Sequence, residues 1–202
     1  VGSLIPRKGV DTVIRGVAAL SRRGVPVALR IIGAGQQAGD LRRIVEEEAP
    51  AGVIEFLGER EDVGTILSES DVFVSAARAE AFPLTLIEAA FAGLPVVASD
   101  IPPHHESIVV GVTGELFEVN SPAHLAQALM SLSGQPDVLE AMGHRGRRRA
   151  LREFLIDRYV GEFASLYDSL ARQKSGFQIP NWPPSYWRWL GTAAAKRLRG
   201  AD

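Results

Sequence analysis

The sequence predicts an α/β fold built on a doubly wound parallel sheet. Short apolar runs of strand length alternate along the chain with longer segments whose apolar residues recur at helical spacing. Glycine, proline and charged side chains gather just after the runs, at the strand ends where open α/β sheets bind their ligands. The chain shows no internal repeat.

Residues 1–9, VGSLIPRKG, read as the end of a strand and a loop that enters a helix. The beginning of that strand is expected upstream, which makes this the C-terminal part of a longer protein. Val10, Val13, Ile14, Val17, Ala18 and Leu20 then repeat at helical spacing, and Gly24 stops the helix. Val25 to Ile32 is predicted as a strand ending in IIGAG. Gly33 and Gly35 either let a backbone approach a phosphate or sugar closely, or make an ordinary tight strand-to-helix turn. Ala38 stands where a dinucleotide fingerprint has its third glycine, so that motif is incomplete. A helix with a charged face, Leu41 to Glu48, precedes a strand from Val53 to Leu57. Gly58, Glu59 and Arg60 follow at that strand's C-terminal end, and Asp62 is placed to cap a short helix through Ser68. The next strand, Asp71 to Ser75, exits through AARAE, which brings Arg78 and Glu80 to the same edge.

The stretch from Ala79 to Asp100, AEAFPLTLIEAAFAGLPVVASD, organises the rest. It reads as loop, helix, tight turn and strand, with Glu80 in the loop and Glu88 in the helix, seven residues between them. Pro83 suits the first helical position, where its missing N–H costs nothing. Phe82 before it has no side-chain acceptor, so the N–H groups of Leu84, Thr85 and Leu86 lack an evident cap. An anion satisfies such donors, as do Glu80, the Thr85 hydroxyl or water. Glu88 sits among Leu84, Leu86, Ile87, Ala89, Ala90, Phe91 and Ala92, a pattern that predicts burial on both sides. A carboxylate so placed needs either an internal partner or ligand hydroxyls. Gly93 ends the helix, and Val96 to Ala98 form a buried strand.

Beyond it, SDIPPHHESIVVGVTGELFE carries two adjacent histidines, His104 and His105, outside any metal-binding frame, and no metal is expected there. Thr113 to Phe117 is a strand, and Ser121 caps a helix from Pro122 to Leu132. Residues 136–150 form a helix with a basic end, RGRRRA, and Leu151 to Gln173 an amphipathic one.

The stretch EAFPLTLIEAAFAGLPVVAS resembles the signature of retaining glycosyltransferases of the GT-B fold, family 4, whose pattern is E-x-F-x-L-x-x-x-E-A-x-A-x-G-x-P-V-V-A. The resemblance covers about residues 1–173 and implies the donor-binding half of such an enzyme. It assigns the donor sugar to Glu80 and the nucleotide ribose to Glu88, with the backbone from Phe82 through Pro83 and Leu84 to Thr85 at the sugar and phosphates. Lys8 and Gly9 match the family's G-R-L-x-x-x-K-G, which implies a diphosphate contact for Lys8, but Ser3 stands where the arginine is usual. A hydroxyl supplies neither charge nor a fork, and Arg7 is the nearest substitute. Gly33, Gly35 and Arg60 fall at further donor-facing turns, and Glu106 matches a family glutamate. No cofactor is implied: the nucleotide-sugar is a substrate, and Lys8 with helix N–H donors takes the place of a metal. The acceptor, a saccharide or lipid-linked hydroxyl, is expected on the missing N-terminal domain. The alternative reading is a non-catalytic nucleotide-sugar-binding or assembly module, with Ser3 marking a lost diphosphate grip.

Composition bounds the remaining classes. The 202 residues are 46% hydrophobic and 23% charged, as in a globular chain, and contain no cysteine. No apolar run approaches the roughly 20 residues that span a bilayer. The net charge of −2 divides into −9 over residues 1–140 (10 basic, 19 acidic) and +7 over 141–202 (12 basic, 5 acidic). The basic half is expected to meet an anionic partner or membrane surface, and no nucleic acid. The domain is expected to run from 1 to 173. The 174–202 tail, with Trp182, Trp187 and Trp189 and a basic end, is expected to anchor at an interface or dock on the missing domain. The expected setting is the cytoplasm, at the inner face of the membrane.

Overall fold

Among residues 1–173, which the computed structural model describes, the apolar runs become five strands and the amphipathic segments eight α-helices. A short 3-10 turn, Pro6–Lys8, leads into α1 (Val10–Arg22), followed by β1 (Leu29–Ile32), α2 (Ala38–Glu48), β2 (Ile54–Gly58) and α3 (Val63–Ser68). Then come β3 (Phe73–Ser75), α4 (Leu84–Ala92), β4 (Val96–Ser99), α5 (Pro102–Ser107), β5 (Gly114–Phe117), α6 (Pro122–Leu132), α7 (Pro136–Glu153) and α8 (Ile156–Gln173). β1 starts at Leu29, not Val25, because Pro26 between them has no N–H to give a ladder.

All strand pairs are parallel, with β1 beside β2 and β3, β4 and β5 in order. Successive residues in a strand turn their backbone groups to opposite edges. The Leu29 and Gly33 N–H groups donate to Val53 and Gly58 at 2.8 and 2.7 Å, on the β2 side. The Ile32 and Ala34 carbonyls accept from Gly2 and Leu4 at 2.9 and 2.8 Å. Residues Gly2 to Leu4 therefore run along the other edge of β1, where the sequence reading expects a strand end, but no strand is assigned to them. Val1 packs into the cluster that holds Phe73, Val96 and Ala98 of β3 and β4.

Helices cover the strands with separate apolar clusters, as the α/β class requires. Val13 and Val17 of α1 and Leu125 of α6 pack with Val97 and Phe117. Leu86 and Ala89 of α4 pack with Leu67, Phe73 and Val96. Ile14, Ile31 and Leu41 close a third cluster with Leu4.

The described residues fall into two units, one from Val1 to Arg152 and a second that begins at Glu153. Within the second unit, α8 exposes Ile156, Val160, Phe163, Tyr167 and Leu170. The tail from 174 to 202 lies outside the described residues. Among the described residues no helix is long and apolar enough to cross a membrane.

Candidate functional site

Lys8 and Glu80 meet because a glycine lets two loops close on each other. Gly9 has φ of 62°, and a Cβ there would lie 2.0 Å from the Ala76 carbonyl oxygen. The turn carrying Lys8 thus seats on the exit of β3, which carries Glu80. Lys8 Nζ donates to Glu80 Oε1. Arg7 Nη1 donates to Glu80 Oε2 at 3.1 Å and to the Ala79 carbonyl at 3.0 Å. The Glu80 side chain is only 9% exposed, so this carboxylate is held by two cations away from bulk water. Ser3 is exposed and offers no charge, which leaves Arg7 as the second cation at the carboxylate.

The start of α4 differs from the sequence reading at two points. Pro83 is the N-cap (φ −86°, ψ 69°), not the first helical residue. The Leu84 N–H donates to Phe82 and the Leu86 N–H to Pro83, both at 3.0 Å. Of the three donors expected to be free, two are therefore closed within the loop, and Thr85 supplies the remaining one. No side chain caps this end.

Glu88 is exposed, which corrects the expectation of a carboxylate enclosed on both sides. α4 buries Leu86, Ile87 and Ala89 against the sheet. Residues four apart share a helix face, so Glu88 lies with Leu84, which is 60% exposed, and not with the buried set. Glu88 makes no hydrogen bond or ion pair among the described residues, so an internal partner does not account for it. Phe82 is exposed on the adjoining loop.

The glycines after β1 answer to the chain itself. A Cβ at Gly33 would lie 1.9 Å from the Gly2 carbonyl oxygen, and one at Gly35 2.4 Å from that of Leu4. Their close approach in this structure is to the backbone leading to Lys8. Arg60 stands apart from the Lys8–Glu80 pair. At the exit of β2 its Nε and Nη2 donate to the two Asp62 oxygens at 2.8 and 2.7 Å. This fork holds the Asp62 carboxyl below, and the Arg60 guanidinium above, their ordinary pKa values. Asp62 spends its carboxylate on Arg60 and gives α3 no side-chain cap, contrary to expectation.

The histidine pair divides by burial. His104 is fully buried, with Nδ1 2.7 Å from the Ser99 carbonyl, while the Ser99 hydroxyl donates to Ala77 at the exit of β3. Burial lowers the His104 pKa, opposed by the Ser99 carbonyl and by Glu80. His105 is exposed and pairs with Asp100 at 2.5 Å. Among the described residues no group of three histidines or carboxylates could hold a metal ion. The Glu106 carbonyl accepts from Arg149 Nη2 at 2.7 Å, and its side chain is exposed.

A family model described as "Glycosyl transferases group 1" matches residues 1–149. This chain belongs to that family. Among its curated relatives, N-acetyl-alpha-D-glucosaminyl L-malate synthase of Bacillus anthracis is 26% identical over 170 residues, which are 84% of this chain and 44% of that protein. D-inositol 3-phosphate glycosyltransferase of Nocardia farcinica is 29% identical over 213 residues, covering 98% of this chain and 47% of that protein. This group 1 chain thus spans about half the length of the relatives it matches. Its fold is also that of Anabaena HepE, solved in complex with UDP and glucose. The TM-score is 0.77 and the identity 21%, over 83% of this chain and 46% of that one. The family is thus one of glycosyl transferases, and this chain spans part of such a protein.

Proposed function

We propose that this chain binds the nucleotide-sugar donor of a retaining glycosyltransferase and acts with an N-terminal domain that carries the acceptor. The observation that carries the reading is the meeting of Lys8 and Glu80 at one strand edge, with Glu88 open and unpartnered one helix turn along from the Thr85 N–H. Lys8 and Arg7 take the diphosphate, and Arg7 replaces the charge that Ser3 does not supply. As the sugar leaves, charge builds on the diphosphate, and these cations with the Thr85 N–H stabilise it. They do so without a metal in this reading. Glu80 accepts from hydroxyls of the reacting sugar, and Glu88 accepts from the ribose. Phe82, Pro83 and Leu84 wall the site, the loop held by Gly33 and Gly35 keeps Lys8 in place, and Arg60 lies toward the base.

The acceptor is a saccharide or lipid-linked hydroxyl in envelope polysaccharide synthesis, used at the cytoplasmic face of a membrane, and this half alone is inactive. Thermal-shift titration of the full-length protein with UDP-, GDP- and ADP-sugars tests the reading, and stabilisation by one of the three is expected. No shift with any of them would refute it. The exposed Ser3 favours a second reading, a nucleotide-sugar sensor, which binding without turnover by the full-length protein would establish instead.

A further inference from the structure

The Arg78 guanidinium spends all three of its nitrogens inside the protein. Nε donates to Asn120 Oδ1 at 2.6 Å, Nη1 to the Pro6 carbonyl, and Nη2 to both Asp11 oxygens at 2.9 Å. Its backbone N–H donates to the Arg7 carbonyl at 2.7 Å. Pro6 and Arg7 precede Lys8, Asp11 follows it, and Glu80 lies two residues beyond Arg78. The turn carrying Lys8 is therefore gripped on both sides by the residue that leads to Glu80. Asn120, on the loop before α6, takes φ of 61° as it meets Arg78 Nε. Four of the five Arg78 N–H donors are thus spent on three other segments of the protein, which separates Arg78 from Arg7 and Lys8.

We infer that Arg78 is a positioning residue that sets the separation of Lys8 from Glu80, and so the fit of the donor's diphosphate and sugar. This inference rests on the donor-site reading above. A lysine cannot replace the planar fork, because one ammonium does not reach three loops in these directions.

The test is a double-mutant cycle on the full-length protein, titrated calorimetrically with UDP-glucose, GDP-mannose and ADP-glucose. Arg78→Lys is expected to weaken the best-binding donor about tenfold, and to change affinity less than about twofold in a Lys8→Gln background, because both act through the same ammonium. Glutamine keeps a hydrogen-bond donor at position 8 so that binding stays measurable. A loss of stability alone would lower the melting temperature of both pairs equally and leave the affinities of the folded fraction unchanged. Affinity within twofold of wild type in Arg78→Lys, or a tenfold loss that persists in the Lys8→Gln background, overturns the inference. Should Arg78→Lys not fold, Asp11→Asn is read in the same cycle against the same outcomes. Wild-type protein that binds none of the three donors refutes the donor reading itself, and this inference with it.

Discussion

Glu88 and Glu80 are both carboxylates of one motif, yet the fold gives them opposite surroundings. Glu88 is open and unpaired, so Glu88→Gln should leave unfolding free energy within about 0.5 kcal/mol of wild type. It should weaken nucleotide binding by about 1.5–3 kcal/mol, the worth of a hydrogen bond to a charged group. Glu80 is held by Lys8 and Arg7, so Glu80→Gln should mainly slow turnover, where contacts to the reacting sugar count most. Calorimetry and steady-state kinetics on the two variants separate these outcomes. His104 gives a pH prediction. Its folded pKa lies below the usual 6.5, so the neutral form is favoured in the fold. That contribution is complete above 6.5 and is lost as pH falls through the folded value, since the unfolded chain binds the proton first. Urea unfolding at about pH 7.5 and about pH 5.5 should show a loss on the acid side that His104→Gln reduces. The identities of Lys8, Glu80 and Glu88 were legible because the motif is one of residue types at fixed spacing. The exposure of Glu88 was not, since an all-apolar helix segment does not reveal which of its faces meets the sheet.

Elements were legible to the extent that their signals are local. Among the described residues, alternating runs located all five strands and every helix but the short α5, which the sequence reading leaves as a loop, and Ser121 caps α6 by accepting from the His124 N–H, as read from the sequence. The signals that failed depend on distant partners. Asp62 has the composition of a cap but is engaged by Arg60, and no spacing rule says which backbone a glycine is meant to admit. Gly33 and Gly39 test the packing account as a pair. Gly33→Ala places a methyl against the Gly2 carbonyl at a φ of 132° and should cost more than about 2 kcal/mol. Gly39, in α2 with open space around it, should be stabilised by alanine by up to about 1 kcal/mol. Denaturant midpoints of the two variants should move in opposite directions. Equal shifts would remove the backbone-approach explanation of the Gly33 turn.

At the scale of the whole molecule, the α/β class and its parallel sheets followed from the order of runs, but which loops would converge did not. Arg78 reaches partners 42 to 72 residues away, and no local pattern announces that. Binding of the donor to the folded state alone should stabilise it by about 2.7 kcal/mol at a hundredfold excess over Kd. Thermal unfolding against donor concentration should follow that logarithmic dependence. The placing of the first residues has a consequence for synthesis. Gly2 and Leu4 bond β1 roughly thirty residues on, and Val1 packs against Phe73 and Val96. On a ribosome this stretch emerges before the strands it bonds. Its edge groups must wait, open to chaperones or to other nascent chains, until the distant strands are complete. The segment is thus made before its partners and seated after them, and the rate of elongation sets how long it stays exposed.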